Sequence, residues 1–134
     1  MNDFFNEIFT AVYDGVTLLY PEVTVTGEYT RQPSEFPLVT VDETENVSVA
    51  RLIDSSNREK YSGLTYRVQV FSNKLGGKKA EARDIFAAVD KIISKMGFRR
   101  VSYAPTPEIY DSTIYSITAT YEAVVDENGN VYKR

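Results

Sequence analysis

Hydrophobic side chains recur at the helical period in two segments of the chain. In residues 2–20 they lie three and four positions apart with polar residues between them, which predicts an amphipathic helix that ends before Pro21. A second helix is predicted over residues 79–96, and Gly97 supplies the usual left-handed stop. The apolar positions are Phe5, Ile8, Phe9, Val12, Val16 and Leu19 in the first helix, and Ala82, Ile85, Phe86, Val89, Ile92, Ile93 and Met96 in the second.

Alternation of apolar and polar residues predicts strands in the rest of the chain. The predicted strands are 22–29, 38–41, 47–53, 64–70, 98–104 and 113–125, with a polar turn at 42–46 and a loop at 54–63. In the strand that begins at Leu64, the side chains of Thr65, Arg67 and Gln69 share one face. We expect that face to be exposed to solvent and the opposite face to pack against the core.

Proline and glycine positions mark the sheet edge and the last turn. Two prolines exclude residues 104–111 from the centre of a sheet, because proline lacks the N–H that a ladder needs. Asn128-Gly129 predicts a tight hairpin that pairs Val131 and Tyr132 with the end of the last long strand. The predicted fold is a single α+β domain over residues 1–134, a largely antiparallel sheet with both helices on one face.

Composition removes most of the usual chemistry. The chain has no cysteine and no histidine, so disulfides, thiolate or imidazole metal sites and a Ser-His-Asp triad are impossible. No phosphate-binding or dinucleotide motif is present, and the clustered carboxylates Asp42, Glu43 and Glu45 fall in the predicted turn. We therefore expect no catalytic residue, no cofactor and no metal, and no enzyme.

The ends and the hydropathy of the chain give two further expectations. No apolar run reaches the roughly 18 to 20 residues of a membrane span, so no membrane partner is expected. The N-terminus is acidic where a signal peptide is basic, so we do not expect it to be a signal peptide.

Charge is unevenly distributed along the sequence. The net charge is −4, but residues 1–73 carry 5 basic and 11 acidic side chains, whereas residues 74–100 carry 8 basic and 3 acidic ones. One interpretation of the basic segment is a lysine-rich, solvated helix face. The other is a small nucleic-acid-binding module, although no aromatic residue interleaves the cations as base stacking requires. Its residues would be Lys74, Lys78, Lys79, Lys91, Lys95, Arg99 and Arg100.

Two further features suggest contacts with other subunits. Arg99 and Arg100 are adjacent in a predicted strand, so their side chains point to opposite faces and one of them is directed toward the packed side. Two explanations are open: the strand lies at an edge of the sheet, or that arginine forms a salt bridge with another subunit. The chain has 10 tyrosines, and tyrosine suits both half-buried sheet positions and interfaces. The candidate assembly residues are Lys74, Lys78, Lys79, Arg99, Arg100, Tyr110 and Tyr132.

The order of elements in the second half resembles a known family. A strand YRVQVFSN, a helix from AEARDIF to KMGFRR, a link APTPEIYD and a long strand STIYSITATYEAVV with the tail NVYKR follow one another. This order is similar to that of the tail terminator proteins of long-tailed phages and prophages of Gram-positive bacteria, also called tail-completion, minor capsid or head-tail joining proteins. The likeness covers residues 64–134 and extends more loosely to the N-terminal helix. The chain departs from the family at Ser116, where an arginine is expected.

The resemblance implies a structural virion protein made in the host cytoplasm. Such proteins form a hexameric ring, in some cases only on meeting the tail tube protein, and the ring ends tube polymerisation. The ring then meets the head–tail connector protein, and DNA passes through its lumen without specific binding. The family fold is also α+β.

Overall fold

A computed structural model describes residues 3–30, 32–48, 61–107 and 113–131. It contains two helices and a five-stranded sheet, which confirms the predicted α+β class. In chain order the elements are α1 (Phe5–Leu19), β1 (Thr24–Thr26), β2 (Leu38–Ser48), β3 (Tyr61–Ser72), α2 (Lys78–Lys95), β4 (Arg99–Pro107) and β5 (Tyr115–Asp126).

The sheet has the strand order β1-β2-β3-β5-β4. β1 runs parallel to β2, and every other neighbouring pair is antiparallel. β4 therefore lies at an edge. Pro105 and Pro107 are tolerated there, because the N–H donors that they lack are not missing from a central strand. This position confirms the edge interpretation of Arg99 and Arg100.

The predicted turn at 42–46 is wrong, because β2 runs through it. A bulge between Glu43 and Glu45 absorbs one residue of the ladder with β3. The acidic side chains stay in the strand because they find partners across it: Asp42 pairs with Arg67, and Glu43 accepts a hydrogen bond from Tyr66. Residues 61–63, predicted as loop, are likewise the start of β3.

The main hydrophobic core joins both helices to alternating strand residues. Its helical members are Ile8, Val12 and Val16 of α1 and Ala82, Ile85, Phe86, Val89 and Ile93 of α2, as the periodicity predicts. Leu19 is the exception: it ends α1 and is 63% exposed. Gly97 has the left-handed backbone (φ 94°) expected of the helix stop. The placement of both helices on one face of the sheet stays a prediction.

The loop between β1 and β2 covers part of the face that was expected to be wet. Gln69 is buried there: its amide oxygen accepts hydrogen bonds from the Thr40 hydroxyl (2.8 Å) and the Thr30 N–H (3.3 Å). The Arg67 guanidinium lies 3.9 Å from the centre of the Tyr29 ring. The expectation for Gln69 is therefore wrong, because a distant loop supplies the partners that water was expected to supply.

The C-terminal hairpin is present in the described residues. The N–H of Asp126 donates to the carbonyl of Asn130, and Val125 forms a bridge with Val131. This confirms the predicted pairing for Val131, while Tyr132 lies outside the described residues.

Candidate assembly surfaces

The two adjacent arginines are both engaged within the chain. Arg99 donates to Glu122 on β5 at 2.7 Å, and Arg100 donates to Asp90 on α2 at 3.0 Å. The two side chains diverge because successive strand residues point to opposite faces. The Arg99 side chain is 76% exposed, so its ion pair contributes little to stability. A subunit contact through either residue stays a prediction.

Arg100 belongs to a small network that fastens α2 to the sheet. The carboxylate of Asp90 also accepts a 2.7 Å hydrogen bond from the hydroxyl of Tyr121, a fully buried residue of β5. Burial, with a further contribution from Asp90, raises the pKa of Tyr121 well above its usual value. Helix α2, strand β5 and the edge strand β4 thus meet at one carboxylate, which gives Arg100 a structural role.

Tyr66 on β3 has a matching arrangement. It is fully buried, and its hydroxyl donates to Glu43 at 3.1 Å. Burial, with a smaller contribution from Glu43, raises its pKa as well. Tyr66 and Tyr121 are core residues, so part of the tyrosine surplus is explained without an interface. Tyr110, like Tyr132, lies outside the described residues.

The loop before α2 presents an apolar residue among lysines. Leu75 is 94% exposed and has Lys74 beside it, with Lys78 and Lys79 in the first turn of α2. Lys74 and Lys79 are exposed, and neither forms an ion pair in the part of the chain that the structure describes. We call Leu75 with Lys74 and Lys79 the basic patch.

The last turn of α1 presents apolar residues among carboxylates. Leu18 is 82% exposed, and Leu19 beside it is also on the surface. Asp14 lies one turn before Leu18 and Glu22 follows the helix; both are exposed and have no ion pair within the described residues. We call these four residues the acidic patch.

The sequence pointed to the basic region and to an acidic N-terminal part, but it did not predict that Leu18 and Leu19 are exposed there. Lys74, Lys78 and Lys79 were predicted from the charge of their segment, whereas Leu19 was assigned to the core. The signal was present in Leu18, an apolar residue that lies off the helical stripe and is followed by the end of the helix.

Two observations on the described residues concern metal and ligand sites. These residues contain no group of three or more His, Cys, Asp or Glu side chains that could hold a metal ion. A groove of about 570 Å³ runs along one end of the sheet, but its arginine, Arg99, is already paired with Glu122. Its other polar side chains are Glu45 and Thr65.

The helices of the described residues include none that is long and apolar enough to cross a membrane. Comparison with models of protein families and with curated protein sequences found no match for this chain.

Proposed function

We propose that this protein is a phage or prophage tail terminator. It forms a ring at the head-proximal end of the tail, ends polymerisation of the tail tube and joins the tube to the head connector. The proposal makes it a virion protein whose function lies in its contacts rather than in catalysis. The order β3, α2, β4 and β5 over residues 61–126 is compatible with the element order on which the family resemblance rests.

The observation that carries the proposal is the separation of charge along the chain. Residues 3–30 contain five acidic side chains and no basic one, whereas residues 74–100 have an excess of five basic side chains. A ring is built from heterologous contacts, in which two different surfaces of each subunit meet. Surfaces of opposite sign on one chain favour that mode and disfavour contact of either surface with itself.

The same charges argue against a nucleic-acid-binding module. Arg99 and Arg100, two of its seven candidate cations, already pair with Glu122 and Asp90. Affinity for nucleic acid depends on the number of phosphates that are neutralised, so each engaged cation weakens it. A net charge of −4 also suits a ring through which DNA passes without adhering.

The test uses the tail tube protein encoded by the same phage or prophage. The tube protein is polymerised with and without this chain, and tube lengths and ends are measured by electron microscopy. We expect shorter tubes that carry a ring at one end. Tubes of unchanged length with bare ends at every ratio would contradict the proposal. Binding of DNA at low salt, together with bare tube ends, would favour the alternative function.

A further inference from the structure

We infer that the acidic patch of one copy of this chain binds the basic patch of the next copy. This inference rests on the proposed ring and names the surfaces that build it. Leu18 of one copy and Leu75 of the next form the apolar centre of the contact. Asp14 and Glu22 face Lys74 and Lys79 around that centre.

The chemistry of the two patches is complementary. Each has a leucine that is more than four-fifths exposed, at 82% for Leu18 and 94% for Leu75. Leu18 lies beside the exposed Leu19, so the acidic patch offers two adjacent apolar side chains to the single leucine of the basic patch. An apolar centre with a polar rim is the usual organisation of a protein interface.

The sign of the charges selects the occupant. Each patch carries two charges that have no ion pair among the described residues, negative at Asp14 and Glu22 and positive at Lys74 and Lys79. A patch placed on its own kind would bring like charges together, which costs free energy. A second copy of the chain presents the opposite patch with the same number of charges. The basic patch therefore fits a protein surface with an apolar centre better than it fits a polyanion, because a phosphate backbone offers Leu75 no apolar surface to pack against.

Engineered cysteines test the contact directly, because the chain has no cysteine of its own. A chain carrying both Leu18→Cys and Leu75→Cys is oxidised, alone and on tail tubes, and analysed by non-reducing electrophoresis. Both positions are highly exposed, so neither substitution disturbs the core, and cysteine behaves as a small hydrophobic residue that keeps part of the apolar centre. At roughly 10 µM chain, a contact that holds the thiols at millimolar effective concentration raises the cross-linking rate on the order of 100-fold over random collision.

We expect a ladder of covalent species that extends beyond the dimer, since each copy contacts two neighbours. A ladder that stops at the dimer would overturn the inference, because it would mean a two-fold pair that exchanges both contacts at once. A mixture of the two single-cysteine chains should join position 18 to position 75. Preferential joining of 18 to 18 or of 75 to 75 would also overturn it. The control pairs Leu18→Cys with Asn128→Cys, an exposed hairpin residue, and should cross-link only at the collision rate.

Charge reversal in the double-cysteine chain tests the rim. Asp14→Lys with Glu22→Lys should abolish the ladder, as should Lys74→Glu with Lys79→Glu, and all four changes in one chain should restore it. The matched control, Lys91→Glu with Lys95→Glu, reverses exposed cations of α2 outside the patch and should leave the ladder unchanged. Loss of the ladder in that control, or no rescue in the fourfold variant, would contradict the assigned pairing.

The outcome separates this inference from the proposed function. Capped tubes with a cross-linking yield no higher than the Asn128 control would refute the patch contact and leave the terminator proposal standing. A ladder on a chain that never caps tubes would support the contact and refute the terminator.

Discussion

Gly15 lies where the two helices approach each other, and this contact makes a quantitative prediction. A Cβ added at Gly15 would lie 2.4 Å from Cδ1 of Ile92 and 3.2 Å from its Cγ1, with nothing else within 4 Å. Since ordinary van der Waals contact begins at 3.4 Å, the end of Ile92 would have to move by 1 Å, the difference between 2.4 and 3.4 Å. In an isolated helix the same change, Gly to Ala, would be favourable by about 1 kcal/mol.

The expected effect of Gly15→Ala follows from these two opposing terms. Ile92 is only half-buried and its Cδ1 is the end of a flexible side chain, so overpacking should cost about 1 kcal/mol, the low end of its usual range, and roughly cancel the helix propensity. Ile92→Val removes Cδ1, the atom in the clash. In a chain that already carries Ile92→Val, Gly15→Ala should therefore be neutral or stabilising by up to about 1 kcal/mol. The coupling between the two positions is expected at about 1 kcal/mol, the overpacking cost that Ile92→Val relieves.

The free energies of unfolding of the four chains are measured by urea titration with far-ultraviolet circular dichroism. The neighbouring isoleucine gives the matched control: Ile93 is fully buried but is not within 4 Å of the added Cβ. Ile93→Val should therefore be additive with Gly15→Ala. Equal effects of Gly15→Ala with and without Ile92→Val would refute the helix contact. Coupling of Gly15→Ala to Ile93→Val would mean that Ile93, and not Ile92, contacts position 15.

Two further predictions concern the core. Phe86 is buried and its ring lies 4.9 Å from that of Tyr103, so Phe86→Ala should destabilise the fold by roughly 3 to 5 kcal/mol; a loss below about 1 kcal/mol in thermal or urea unfolding would show that α2 does not pack on this face. The raised pKa values of Tyr66 and Tyr121 mean that the folded chain keeps two protons that the unfolded chain releases above its tyrosine pKa of 10.0. Stability should thus be unaffected by these groups below pH 10 and fall above it by about 1.4 kcal/mol per pH unit for each tyrosine. Tyr121→Phe should remove one such increment from the slope, whereas an unchanged slope would contradict the burial of its hydroxyl.

The sequence predicted the elements whose signal is local. Both helices were found because their apolar residues repeat at a period that only a helix places on one face. The antiparallel strands from Leu64 and from Thr113 were found by alternation in the same way. The exclusion of Pro105 and Pro107 from the centre of the sheet was confirmed, although the strand that was predicted to end at Ala104 continues to Pro107 as edge strand β4.

The features that the sequence did not predict depend on partners far along the chain. The acidic run at 42–46 has the composition of a turn, but its partners lie on β3, more than 20 residues away: Arg67 pairs with Asp42, and Tyr66 donates a hydrogen bond to Glu43. Gln69 alternates correctly but is buried by Thr30, which is 39 residues away. Gly15 is only a weak point of a helix until Ile92 is placed against it.

The ion pairs of the folded chain explain why assembly should depend on salt. Arg67 with Asp42, Arg99 with Glu122 and Arg100 with Asp90 are each neutralised within the chain, so they add little to the field around it. The charges of the acidic and basic patches have no ion pair among the described residues, and their fields extend into solvent over the Debye length, about 8 Å at physiological ionic strength. In the proposed ring, such charges would accelerate encounter and orient the approaching copy, while the contact between Leu18 and Leu75 would set the lifetime of the interface. Raising the salt concentration should therefore slow ring formation more than it speeds the dissociation of a completed ring. The opposite order would mean that the ion pairs, and not Leu18 and Leu75, hold neighbouring subunits together.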